Sequence, residues 1–178
     1  DENGLRVVAD GFGFTNEVRL DANEDYIYIV ETTGQRISRM KVADDGALSG
    51  REVYGPSKLG KAGANGFPDG ITFDAYGNLW GTLIMSDQIF AITPEGEYHV
   101  ILDDLNQAPA EALETAFRND EATPELMLAA SGTIAPWMAS VTFGGPDLKT
   151  AYIGSLRGTR IPYFTSPIAG LAMAHWND

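Results

Sequence analysis

Short runs of alternating apolar and polar residues recur along the chain, each closed by Gly, Pro, Asn or Asp. Tyr26-Ile27-Tyr28-Ile29-Val30 is the clearest. Such runs predict strands, because side chains on a strand point to opposite faces in turn. A first set covers Glu17 to Leu20, Tyr26 to Glu31, Arg36 to Val42 and Arg51 to Tyr54, with turns at Asp21-Ala22-Asn23-Glu24, Thr33-Gly34 and Asp44-Asp45-Gly46. A second covers Ile71 to Phe73, Asn78 to Leu83, Gln88 to Thr93 and Glu97 to Leu102, turning at Ala75-Tyr76-Gly77 and Pro94-Glu95-Gly96.

The two sets are copies of one unit. Phe14-Thr15-Asn16-Glu17-Val18-Arg19-Leu20-Asp21 aligns with Phe67-Pro68-Asp69-Gly70-Ile71-Thr72-Phe73-Asp74 at an offset of 53, and Arg36-Ile37-Ser38-Arg39-Met40 matches Gln88-Ile89-Phe90-Ala91-Ile92. A third, more divergent copy begins at Ser140-Val141-Thr142-Phe143 and continues through Thr150-Ala151-Tyr152-Ile153-Gly154. Four-strand repeats of this length predict an all-β fold of the β-propeller class. The expected organisation is three four-stranded blades at about 10–55, 67–103 and 139–177 with a helical insertion at about 104–138. Three unrelated meanders in a sandwich are the alternative. Leu5 to Ala9 reads as the outer strand of a further blade, and Ile161 to Phe164 and Gly170 to Trp176 as the outer strands of the last one. Closed propellers have about four to eight blades, so three imply a ring completed by a missing N-terminal half or by a second copy.

Two connectors between units are long, Gly55 to Gly66 and Asp104 to Ala139. In the second, Ala112, Leu113, Ala116 and Phe117 recur at helical spacing, and Thr123-Pro124-Glu125 opens another helix with an N-cap followed by Pro at the first helical position, ending near Gly132. Up-and-down strand order puts this insertion over the face where inner strands begin, either as a solvated decoration or as a lid that shapes a substrate site.

Composition limits what such a fold does. The 178 residues carry 12 Lys+Arg against 25 Asp+Glu, a net charge of −13, and residues 103–125 alone hold seven acids and one base. That balance argues against a nucleic-acid partner, which needs clustered basic residues on phosphates. The absence of Cys excludes disulfides and a thiol nucleophile. No apolar run approaches a membrane span of about 18 residues, and Asp1-Glu2-Asn3-Gly4 lacks the basic and apolar regions of a signal peptide, so a soluble chain without a membrane partner is expected, cytoplasmic or periplasmic.

Candidate chemistry sits at the repeat. Asn16 and Asp69 are equivalent positions at the start of successive inner strands, where side-chain oxygens face the axis. Hard divalent cations take such donors, but Ca²⁺ needs about six to eight oxygens and Mg²⁺ an octahedron, so two side chains are too few; capping a turn is the competing role. Second strands return to the same face and bring Glu31, Ile84 and Leu156 near the rim as substrate-contact candidates. Gly60 to Gly66 lacks the Gly-Lys-Ser/Thr of a phosphate loop, His99 and His175 have no ligand partner at metal spacing, and Ser131 and Ser140 have no His-Asp arrangement in view.

Around these residues the chain resembles the SMP-30/gluconolactonase/LRE-like (regucalcin-type) family. The resemblance rests on Thr15-Asn16-Glu17-Val18, Phe67-Pro68-Asp69-Gly70-Ile71, Gly77-Asn78-Leu79-Trp80 and Val141-Thr142-Phe143-Gly144-Gly145-Pro146-Asp147-Leu148, and covers nearly everything outside the insertion. It implies the C-terminal half of a six-bladed propeller that hydrolyses sugar lactones or related small-molecule esters with one axial divalent cation (Ca, Mg, Mn or Zn). Its Asn ligand maps to Asn16, and its Asp ligand and candidate general base to Asp69. Glu17 stands where the family often has Gly and is a further substrate-contact candidate; the family's first-blade Glu ligand and its mid-propeller Asn and Arg have no counterpart. The competing expectation is a non-catalytic half-propeller that serves as a binding or assembly module.

Overall fold

A computed structural model describes residues 4–61, 64 and 66–173. Three antiparallel sheets stand side by side. The first is a meander of β1 (Thr15–Leu20), β2 (Tyr26–Glu31), β3 (Arg36–Val42) and β4 (Leu48–Tyr54). The second repeats it with β5 (Phe67–Phe73), β6 (Leu79–Ile84), β7 (Gln88–Ile92) and β8 (Tyr98–Asp103). Helices α1 (Gln107–Arg118) and α2 (Pro124–Ala129) follow, and then β9 (Met138–Gly144), β10 (Thr150–Ser155) and β11 (Tyr163–Thr165) form the third sheet in the order β11-β10-β9. The first strands of successive sheets, β1, β5 and β9, neighbour one another.

Packing between sheets explains the sequence pattern. Val30, Ile37, Ile71, Phe73, Leu83, Phe90 and Ile92 fill one core, and Trp80, Ile89, Met138, Val141, Phe143 and Ile153 belong to a second. The middle sheet therefore has both faces covered, and every residue of β6 and β7 is buried, which erases alternation there. Each large apolar side chain so buried contributes about 1.5–3 kcal/mol relative to exposure. The turns are set by repeated aspartates. Asp74 accepts hydrogen bonds from the backbone N–H of Tyr76 and Asn78 and from the Trp80 indole, and Asp21 caps its own turn through the N–H of Asp25 and Tyr26.

Four expectations change. Residues 5–9 form no strand: Leu5 and Val7 are exposed, and no described strand offers them a ladder partner. Among the described residues the third sheet has three strands rather than four, because the segment after β11 leaves it. Gly170 bridges Asp74 instead and Leu171 N–H bonds to the Phe73 carbonyl, tying the end of the chain to the middle sheet. Residues 174–176, which the sequence assigns to that last strand, lie outside the described residues, His175 among them. The buried face of α1 is also rotated from the expected one: Ala112 is exposed, whereas Ala110, Leu113, Glu114 and Ala116 are buried. Thr123 caps α2 as expected, accepting from Leu126 N–H, but α2 ends at Ala129, short of Gly132. No described helix is long and apolar enough to cross a membrane.

Candidate functional site

Each first strand carries a bulge at the same repeat position. In β1 the pairing with β2 steps from Thr15↔Glu31 to Val18↔Ile29, in β5 the pairing with β6 steps from Pro68↔Leu83 to Ile71↔Gly81, and in β9 the pairing with β10 steps from Met138↔Ser155 to Ser140↔Gly154. One strand gains a residue each time. The extra residues belong to Asn16-Glu17, Asp69-Gly70 and Ala139. A bulge releases a residue from the ladder and re-aims its side chain, which is how a strand end presents a functional group. Alternation alone gives no signal for it; the Pro-Asp-Gly sequence of the second copy does, because Gly is what the close packing there tolerates. A Cβ on Gly70 would lie 2.5 Å from the Ala139 carbonyl oxygen and 2.8 Å from Ser140 Cα on the neighbouring strand.

Thr32, just beyond β2, joins the two candidates. Its hydroxyl donates to the Pro68 carbonyl at 2.8 Å and accepts from Asn16 Nδ2 at 3.3 Å. With the hydroxyl proton committed to Pro68, the Asn16 amide must turn its NH₂ toward Thr32, which leaves Oδ1 free to accept. Asp69 is half-buried beside it. Burial pushes its carboxyl above the usual aspartate range and the nearby Glu17 charge adds to this, while the Asn16 side chain pulls the other way.

Glu17 and Glu31 have other engagements. Glu17 accepts the Ile71 N–H at 2.7 Å and pairs with Arg19, whose Nε donates to the Ile71 carbonyl at 3.3 Å. Together the two side chains fasten β1 to the backbone of β5. Glu31 is fully buried and accepts from Gly13 N–H at 2.8 Å, Arg36 Nε and Nη2 at 3.1 and 3.0 Å, Arg51 Nη2 at 3.0 Å and the Ser38 hydroxyl. Burial alone would raise its pKa; the five donors win and hold it down at about 2. Neither carboxylate is left open to a ligand. Of the other rim candidates, Leu156 is exposed and Ile84 is buried against the insertion. His99 lies exposed 3.8 Å from Glu97.

The insertion covers the same face. Leu113 and Ala110 of α1 pack with Phe67 and Ile84, and Phe117 meets Phe67 edge to face at 4.7 Å. Glu114, buried within this apolar stripe, accepts from Gln35 Nε2 at 2.9 Å and Arg118 Nε at 2.7 Å and pairs with Lys58, which together hold its carboxyl below the usual glutamate range despite burial. The following loop is clamped by two aspartates. Asp87 accepts from Gly132 N–H at 2.6 Å and Met138 N–H at 2.7 Å, and Asp104 accepts from Thr133 and Ile134 N–H. Part of the local acidity is thereby spent on holding the insertion in place. Sequence reasoning missed Glu114 as an anchor, although a carboxylate at the centre of the stripe Ala110, Leu113, Glu114, Phe117 was its signal.

Residues 1–107 match the family model described as the SMP-30/Gluconolactonase/LRE-like region. The chain belongs to this family. Among family relatives, a 6-deoxy-6-sulfogluconolactonase of Pseudomonas putida is 24% identical over 159 residues, covering 89% of this chain and 44% of the relative. A luciferin-regenerating enzyme superposes with a TM-score of 0.61 at 18% identity over 90% of this chain and 48% of its own. Regucalcin of Agrobacterium tumefaciens, a calcium-binding protein, does so with a TM-score of 0.54 at 17% identity over 83% and 40%. The chain thus spans about half the length of the relatives it matches.

Proposed function

We propose that this chain forms three blades of a six-bladed propeller, at about residues 10–55, 67–103 and 139–165, and carries part of the site of a metal-dependent lactone hydrolase. The observation that carries this reading is the pair of equivalent bulges that bring the Asn16 amide and the Asp69 carboxylate to one place, joined through Thr32. The donor chemistry fits a hard divalent cation: a free amide oxygen and a partly desolvated carboxylate. Asn16 and Asp69 would hold it, and such an ion when bound polarises the ester carbonyl and offsets the charge that develops on its oxygen. Among the described residues no three His, Asp or Glu side chains cluster as a metal group, so Asn16 and Asp69 alone do not complete a coordination shell. Asp69 is the candidate general base; since ligation would lower its basicity, it would take the proton of an attacking water through a second water. Glu17 and Glu31 hold the frame rather than the substrate.

The names of the relatives support the reaction class, one being a sulfogluconolactonase, and a calcium-binding regucalcin supports the ion. The test is acid release from an aldonolactone by the full-length protein, with and without Ca²⁺, Mg²⁺, Mn²⁺ or Zn²⁺. Asp69→Ala should lose at least about 100-fold in kcat, the scale on which a positioned base acts. Turnover that survives both the substitution and chelation would overturn the assignment. A non-catalytic assembly module is the second reading. It is favoured by exposed apolar side chains on both outer sheets, Val18 and Leu20 on one and Tyr152 and Tyr163 on the other, and it predicts no metal-dependent acid release at all.

A further inference from the structure

A cavity of about 260 Å³ opens beside the Asn16 and Asp69 pair, between β5 and β6 on one side and the helical insertion on the other. Phe67 and Ile84 form its sheet wall, Leu113, Phe117 and Met127 its helical wall, and Thr32 its end nearest the polar pair. The Thr32 hydroxyl is committed to Pro68 and Asn16, so the interior presents carbon and no free polar group from these side chains. Thr32 is at once a wall of the cavity and the hydrogen-bond partner of Asn16, and Phe67 precedes Asp69 by two residues. The cavity therefore adjoins the polar pair across Thr32.

We propose that this cavity receives an apolar alkyl or aryl arm of the substrate, so that the favoured lactone or ester carries such an arm rather than the hydroxyl groups of a sugar. The proposal rests on the hydrolase reading above. Sugar hydroxyls placed against these walls would lose water without gaining partners, an outcome binding sites reject strongly, whereas each added methylene in an apolar pocket is worth about 10-fold or more. The volume is below that of a pocket for a whole drug-sized ligand, roughly 300–1,000 Å³, and suits one arm. The walls are also fixed before any ligand arrives. Glu114 ties α1 to Gln35 and Lys58, and Asp87 and Asp104 clamp the loop behind α2.

The experiment uses the full-length protein with Ca²⁺. kcat/KM is measured for γ-butyrolactone, γ-octalactone, γ-decalactone and glucono-1,5-lactone, and binding of the products 4-hydroxydecanoate, 4-hydroxybutyrate and gluconate is measured by calorimetry. γ-Decalactone should exceed γ-butyrolactone and gluconolactone by at least about 10-fold. Ala122→Phe, which fills the cavity from the loop between the helices, and Met127→Gln, which makes a wall polar at similar size, should each shrink that ratio severalfold, with circular dichroism confirming the fold. Equal kcat/KM across the series, a preference for gluconolactone, or a ratio unmoved by both variants overturns the proposal. If no lactone is hydrolysed, binding decides: tighter binding of 4-hydroxydecanoate than of 4-hydroxybutyrate that the variants weaken upholds the pocket and sinks the hydrolase reading, and no preference sinks the pocket as well.

Discussion

The carboxylate of Glu31 meets two guanidinium groups, a hydroxyl and a backbone N–H with no solvent exposure, so its charge is a structural requirement of the first sheet. Its pKa is depressed in the folded state from 4.5 to about 2. A depressed carboxylate contributes stability that is complete above the unfolded value and disappears as pH falls through the folded one. The stake is on the order of 3 kcal/mol. Acid titration should therefore show a loss of stability between about pH 4.5 and pH 2 that Glu31→Gln largely lacks, and this variant, read by thermal melting at pH 7, should be less stable by a similar amount. At this scale the sequence is readable only in part. Asn16 and Asp69 stand out because a repeat makes equivalent positions comparable. The roles of Glu17 and Glu31 do not, because the convergence of Arg36, Arg51 and the Ile71 backbone on them is set by long-range pairing that no local spacing records.

Strands and helices were more legible. Tyr26–Glu31 and Arg36–Val42 have the boundaries expected from alternation and turn residues, and Thr123 with Pro124 marked the start of α2. β5 extends four residues earlier than its apolar pattern suggests, since Phe67 to Gly70 lies across a bulge where alternation breaks. The buried face of α1 takes in Ala110 and Glu114 instead of Ala112, because small residues mark a helix face only weakly and tertiary packing sets it. Glu114 belongs to this scale too. Glu114→Ala should remove the tie between α1 and the first sheet, at a cost of about 1–2 kcal/mol since Lys58 and Arg118 can turn to solvent. Hydrogen exchange should then accelerate in residues 107–118 well before it does in β6 and β7. Uniform acceleration across the chain would mean that α1 is not a separable unit.

Across the whole molecule, the two outer sheets carry exposed apolar side chains while β6 and β7 of the middle sheet are buried throughout. Val18 and Leu20 of β1, Tyr152 of β10 and Tyr163 of β11 are among them. Contiguous patches of this kind drive association. The 178-residue chain alone should consequently scatter light as a particle of at least twice its 19.2 kDa mass, and a monodisperse monomer would show that the bare faces are tolerated. Length and composition said nothing of this; counting repeats did, because a ring must close and three units do not close one. The recurring bulge has a consequence of a different kind. The backbone that holds out Asn16 and Asp69 is present a third time around Ala139, where the side chain is chemically silent. The scaffold has separated the act of presenting a group from the choice of group, so a change of one side chain at any of these sockets alters the chemistry on offer without asking the fold to be invented again.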